Sequence, residues 1–449
     1  PYLFVFRQRA WFQLALTAPD QLRQRVAFAL SQILVVSDVP FGQNMTEPVS
    51  NYYDVLSNNA FGNFRTLLNQ VTLSPVMGLY LSHLRNEKAT ATTSPDENYA
   101  REVMQLFSIG LVQLQPDGTL KLDTDGLPIP TYNNTTITEM AKVFTGWGYF
   151  STAANPGFRT TRADYINPMM LYPAEHETSQ KRIVNNVVLP ASQTGTKDLK
   201  DALDALFNHP NCAPFICRQL IQRLVTDNPS PAYIYRVAQV FDRERNSTTQ
   251  LGSAVRAILT DYEARSPVVT AAPGYGKLKE PLLRFTALLR SFGASSSSGR
   301  NRLENSPYAN LNQGPLESPS VFNFFEPSYV YPGPLAAAGL VAPEFQITND
   351  TTAITVPNFF RSTIFTTATG SSAATNLVLD LAAEQALATN PSALLDHLSL
   401  VMTGSQLTAA TRARITTALN GLAATTTARE RAQSAILLVA TALEGATQK

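Results

Sequence analysis

Two carboxylates and a guanidinium fall within two helical turns in the run Ser94-Pro95-Asp96-Glu97-Asn98-Tyr99-Ala100-Arg101-Glu102-Val103-Met104-Gln105-Leu106-Phe107. Spaced this way, Glu102 would serve as a general acid or base and Arg101 as a clamp for an anionic group, provided that a histidine joins them. The chain has four histidines: His83, His176, His209 and His397. His83 lies near the end of an apolar run shortly before this stretch, and His176 is flanked by Glu175 and Glu177. Either ring, folded against the Asn98/Glu102 face, would supply a base beside an orienting carboxylate. A structural reading covers the same letters: Glu97 caps the helix, Arg101 reaches back to it as an i, i+4 pair, and each histidine is a core or surface residue with one hydrogen bond. His209 before Pro210 reads as a helix start.

The element that must position these groups is a short helix. Ser94 suits the N-cap, Pro95 the first turn, and Glu97 falls three after Ser94, which predicts a capping box and a start at Ser94. Ala100, Val103, Met104 and Phe107 form one apolar stripe, Asn98, Glu102 and Gln105 a polar stripe opposite, and Gly110 stands where a left-handed C-cap belongs.

Other chemistries find no support. The sequence has no Gly-x-Ser-x-Gly elbow, phosphate-cradling Gly-x-x-x-x-Gly-Lys, Gly-x-Gly-x-x-Gly, Cys-x-x-Cys-His or His-Glu-x-x-His, so no cofactor and no metal set is assigned. Asp123-Thr124-Asp125-Gly126 fails as a calcium loop because its first and twelfth ligand positions would be Lys121 and Tyr132; it reads as a turn. Cys212 and Cys217, the only cysteines, read as free or buried thiols. A net charge of +1 with no dense Lys/Arg run argues against nucleic acid and anionic membranes as partners, and no apolar run is long enough to span a bilayer.

Apolar periodicity predicts a mainly α fold: a large helical domain with a small β-hairpin insertion at about 111–132 and a long irregular Pro/aromatic segment at about 313–360. Residues 1–449 read as one domain, with a possible division into 1–290, 291–365 and 366–449. Helices are expected over Trp11 to Ser37, Tyr52 to Ser57, Asn63 to Thr72, Leu199 to Phe207, Phe215 to Val225 and four C-terminal stretches between Leu377 and Leu443. A second capping box, Thr136 with Glu139, is expected to open another helix. In the aromatic segment, Phe322, Phe324 and Phe325 are expected to plug the bundle, while Tyr329 and Tyr331, with Asn98, are candidates for stacking and hydrogen bonding to sugar rings.

The run Glu97-Asn98-Tyr99-Ala100-Arg101-Glu102, followed by Gly110-Leu111, resembles the signature of the bacterial DUF1800 family. So do Gln21-Leu22-Arg23-Gln24-Arg25-Val26-Ala27-Phe28-Ala29-Leu30-Ser31-Gln32, the block from Met77 to Asn86, the helix around Met140 to Trp147 and Leu340-Val341-Ala342-Pro343-Glu344-Phe345-Gln346-Ile347-Thr348-Asn349. The resemblance runs from near residue 11 to the C-terminus; family members usually carry a His-acid pair followed by Lys where His176, Glu177 and Lys181 stand. It implies an exported protein, in the periplasm, at the cell surface or secreted, whose signal peptide is not in the given chain. It also implies a possible partner from the DUF1501 family. The expectation is a binding or assembly component of a secreted or cell-surface complex, with a hydrolase or lyase acting on an extracellular polymer such as a polysaccharide as the alternative.

Overall fold

Residues 5–41, 45–303, 306–366 and 372–449 are described in the computed structural model, and they are mainly helical. The stretch from Trp11 to Ser37 is two helices, Val5–Thr17 and Gln21–Ser31. Pro19 separates them because it disfavours the helical conformation at Ala18. Thr46–Asn58, Phe64–Leu73 and Pro75–Tyr80 follow, and Asn63 caps the second of these by accepting from the Arg65 and Thr66 amides.

The central helix is Asn98–Gln105, so it starts four residues later than its letters suggest, and Ser94 and Glu97 form no capping box. Tertiary hydrogen bonds decide this. Asn86 accepts from the Asp96 amide (2.8 Å) and donates to the Asp96 carbonyl (3.1 Å), which holds the segment out of helical geometry. Glu97 then spends its carboxylate on the Thr138 hydroxyl at 2.8 Å. The apolar stripe is as expected: Ala100, Val103, Met104 and Phe107 are all fully buried. Thr136 and Glu139 likewise form no box; Asn133 caps the Asn134–Val143 helix, and Glu139 pairs with Lys142.

Between these two helices lies the small β insertion, an antiparallel meander of two tight hairpin turns. Bridges Val112↔Pro130, Leu114↔Leu120 and Leu122↔Pro128 define its three limbs, and Gly118 and Gly126 turn it at φ +77° and +78°. Three two-residue antiparallel pairs and a lone Ser295↔Val378 bridge complete the β structure among the described residues. One of them, Lys277–Leu278 with Thr447–Gln448, ties the chain's end to its middle.

Gly195–Phe207, Cys212–Leu224, Pro231–Arg243, Gln250–Thr260 and Pro281–Ser291 form the second half of the bundle. The irregular segment ends near 349, since Asp350–Thr366 is a helix despite Pro357 inside it. Val356, Phe360 and Ile364, four apart and buried, pack it down, and that burial outweighs the hydrogen bond lost at Pro357. Ala382–Leu387, Pro391–Thr403, Ala409–Asn420 and Ala428–Thr441 close the chain. One large apolar core extends from Trp11 to Ala440, and a small separate cluster holds Phe324, Phe325 and Ile347. Cys212 and Cys217 are free and buried on one helix; burial pushes the Cys212 thiol up to about 12.

Candidate functional site

The two histidines proposed as bases have other partners. His83 is buried, stacked on Tyr99 at 3.8 Å between ring centroids, with Nε2 2.9 Å from the Thr72 carbonyl. Burial lowers it to about 4, against a smaller opposing effect of that carbonyl, so the ring is neutral. His176 lies in a sealed network: Nδ1 is 2.9 Å from the Thr145 carbonyl, and Nε2 is 3.0 Å from Asp198 Oδ2. Lys181 donates to the same Oδ2 at 2.6 Å and to the carbonyls of Glu177 and Ser179 at 2.6 and 3.0 Å. All three of its protons are satisfied, and the three side chains are essentially inaccessible. Burial pushes the Asp198 carboxyl up, but the His176 and Lys181 bonds outweigh it and hold it below the usual carboxylate range.

Arg101 is half exposed and 3.6 Å from Glu97. Glu102 is buried, with Oε2 lacking a partner, and burial raises its carboxyl against the pull of Arg101. Its charge also raises the neighbouring Tyr132 phenol, which burial, the larger cause, carries up to about 12. No hydrogen bond joins either histidine to Glu102 or Arg101 among the described residues. Asn98 is exposed, Tyr329 half-buried, and Tyr331 exposed and packed on Phe345 at 4.8 Å; no hydrogen bond joins Asn98 to either tyrosine among the described residues. Phe324 and Phe325 are buried, but in a small cluster with Ile347 apart from the bundle core that they were expected to plug, and Phe322 is 43% exposed and lines a cleft.

That cleft, of about 360 Å³, is where the polar stripe of the central helix leads: Gln105, one turn beyond Glu102, is in its wall. Its floor comes from the Cys212–Leu224 helix. Phe215, Arg218, Gln219, Gln222 and Arg223 sit at i, i+3, i+4, i+7 and i+8, one stripe facing the cleft, while Ile216, Cys217, Leu220 and Ile221 face the core. Asn211, just before this helix, builds the opposite wall. Its side-chain amide donates to the Ile109 and Val112 carbonyls (2.9 and 2.7 Å) and accepts from the Leu114 amide (2.8 Å), fastening the meander to the helix. Gly110, at φ +74°, lets the chain turn there; a Cβ on it would stand 2.8 Å from the Phe215 ring. Gln222 donates to the carbonyls of Asp227 and Pro327, both at 3.0 Å, and so holds the roof segment that carries Phe322.

Behind the floor is a buried ionic cluster drawn from four distant segments. Glu280 accepts at Oε2 from Gln32 and Gln313, both at 2.5 Å, and Arg25 lies 3.9 Å from its other oxygen. Lys277 pairs with Glu344, donates to the Gln222 carbonyl at 2.6 Å, and is 3.8 Å from Asp227. Arg223 donates to the Gln32 carbonyl at 2.9 Å; burial lowers it to about 10 although Glu280 and Glu344 oppose this. The Asp227 carboxyl is raised, first by burial and then by the Glu344 charge, against the pull of Lys277. Glu344 reaches the cluster because Asn228 bonds both ways to Val341, at 2.9 Å each. No group of three or more His, Cys, Asp or Glu suited to a metal occurs among the described residues.

Many polar atoms here have no hydrogen-bond partner among the described residues: Gln32 Oε1, Gln219 Nε2, Gln222 Oε1 and Arg223 Nε at the floor, and Glu344 Oε2 behind it, where Asp227 Oδ1 and Glu280 Oε1 have only the longer ion pairs to Lys277 and Arg25. Buried polar atoms are ordinarily satisfied, so a concentration of exceptions beside an open cleft marks a place where water or a ligand completes the bonding. The signal in the sequence is the stripe Arg218-Gln219-Gln222-Arg223, but a polar stripe on an isolated helix reads as a solvent face.

Three of the blocks that carry the family resemblance meet here: Arg25 and Gln32, Gln105 of the central helix, and Glu344. Among the described residues no helix is long and apolar enough to cross a membrane. The chain matches no curated protein and no solved structure. The family model described as "Protein of unknown function (DUF1800)" matches residues 5–444, nearly the whole chain, and the protein belongs to that family.

Proposed function

We propose that the protein is a binding component, and that the cleft between the central helix, the meander and the Cys212–Leu224 helix is its ligand site. The observation that carries this reading is an open, apolar-walled cleft whose lining residues Gln32, Gln219, Gln222 and Arg223 each carry a buried polar atom without a hydrogen-bond partner. Its volume lies within the ordinary range for small-molecule sites, which combine mostly apolar walls with a few placed polar groups. The enzymatic alternative needs Glu102, Arg101 and a histidine in one accessible place, and His83 and His176 are each occupied elsewhere. An assembly role draws support from the exposed leucines of the meander, Leu111, Leu120, Leu122 and Leu127, an apolar rim beside the cleft. Work outside the cytoplasm and a DUF1501-type partner are part of the proposal and rest on the family resemblance alone.

The test is saturation-transfer NMR of the full chain against a mixture of neutral, anionic and cationic amphipathic compounds, compared with Leu106→Trp, which fills the cleft. Signals lost in the variant support the reading. A panel in which no compound distinguishes the folded variant from the parent overturns it.

A further inference from the structure

Arg218 separates this cleft from a merely polar one. It projects from the floor helix into the cleft, is half-buried, and makes no hydrogen bond or ion pair with any described residue. Other buried or half-buried arginines are engaged: Arg7 with Asp38 and the Pro315 carbonyl, Arg65 with Asp204, Arg223 with two carbonyls. A guanidinium removed from much of its water without an acceptor is costly, and its planar fork matches a carboxylate in bidentate geometry. Two further donors without acceptors, Gln219 Nε2 and Arg223 Nε, lie on the same helix face.

Behind the floor, Arg25 and Lys277 have carboxylate partners of their own, Glu280 and Glu344. Glu326, the one acid lining the cleft, is exposed at the rim and forms no ion pair with Arg218 among the described residues. Above the floor the walls are apolar, from Leu106, Leu114 and Phe215 to Leu111, Leu120 and Phe322 at the mouth, the last three 54%, 48% and 43% exposed.

We propose that the cleft selects an anionic amphiphile, a small molecule whose apolar body lies along Phe215, Leu114 and Phe322 and whose carboxylate pairs with Arg218. This rests on the reading of the cleft as a ligand site. A single free guanidinium suits a monoanionic carboxylate; a more highly charged head would need more free cations than the cleft offers.

The experiment is calorimetric titration of the full chain with decanoate and with decanol, below their aggregation concentrations, using the parent protein and Arg218→Gln. A charge-assisted bond to a desolvated guanidinium is worth about 1.5–3 kcal/mol, or roughly tenfold to a hundredfold in affinity. Decanoate is therefore expected to bind the parent at least tenfold more tightly than decanol, with Arg218→Gln removing that difference. Equal binding of both by the parent overturns the anion selectivity and leaves the ligand site standing. Binding of neither, together with a panel in which nothing responds to Leu106→Trp, removes the site itself. The comparison within the parent protein stands even if Arg218→Gln does not fold.

Discussion

Replacing Asp198 by Asn tests whether the His176–Asp198–Lys181 network holds the 145–198 region together. The substitution keeps the side chain's size and an acceptor oxygen but removes the buried charge paired with the Lys181 ammonium, whose side chain is fully buried. Breaking a buried pair by removing one partner costs about 3–5 kcal/mol, because the other charge stays uncompensated. The entropy of unfolding, about 2.1 cal/mol/K per residue, comes to roughly 0.9 kcal/mol/K over this chain, so the melting point should fall by about 3–5 °C. Differential scanning calorimetry reads this directly. The control is Lys197→Met, which breaks the exposed i, i+4 pair with Asp201 and should cost less than about 1 kcal/mol. The pH dependence adds a second signature. Since the folded Asp198 carboxyl is held below its unfolded value, its contribution is complete above about pH 4 and is lost as pH falls through the folded value. Asp198→Asn should therefore lose stability at neutral pH and lose less than the parent on further acidification. Equal melting shifts for Asp198→Asn and Lys197→Met would refute the reasoning.

His83 and His209 are both lowered to about 4, each chiefly by burial, so the unfolded chain takes up their protons first as pH drops below about 6.5. Denaturant titrations should show stability falling between pH 6.5 and 4 by up to roughly 1.4 kcal/mol per pH unit per histidine, with His83→Gln removing one share of that slope. Gly110→Ala should cost at least about 1–2 kcal/mol, since alanine must adopt φ +74° and displace the Phe215 ring; urea unfolding measures the loss, and ligand titration should show weakened binding. Glu280→Ala strands the Gln32 and Gln313 amides and Arg25, and should cost roughly 3–5 kcal/mol by the same unfolding assay. Glu326→Ala, exposed at the cleft rim, should stay within about 0.5 kcal/mol.

What the chain's letters determined by themselves is local. The stripe Ala100, Val103, Met104 and Phe107 names the buried face of the central helix, and Gly110, Gly118 and Gly126 all take the left-handed conformation, although Gly110 does so beyond the helix's C-cap, which is Leu106 at φ −102°. Both follow from periodicity and sterics acting over a few residues. Helix starts were less legible. Ser94 and Thr136 have the right residues for capping boxes, but Asn86 holds Asp96, and Asn133 reaches the first turn sooner.

Only the tertiary structure decided where the charges go. Glu102, the residue singled out for chemistry, is buried beside Tyr132, while the cleft floor belongs to Arg218, Gln219, Gln222 and Arg223. His176 meets Asp198 across 22 residues and Gln32 meets Glu280 across 248. A buried ion pair leaves no local period in a sequence, because each partner alone looks like a solvated surface residue. Its burial becomes tolerable only when the fold delivers the opposite charge and the remaining hydrogen bonds to the same place.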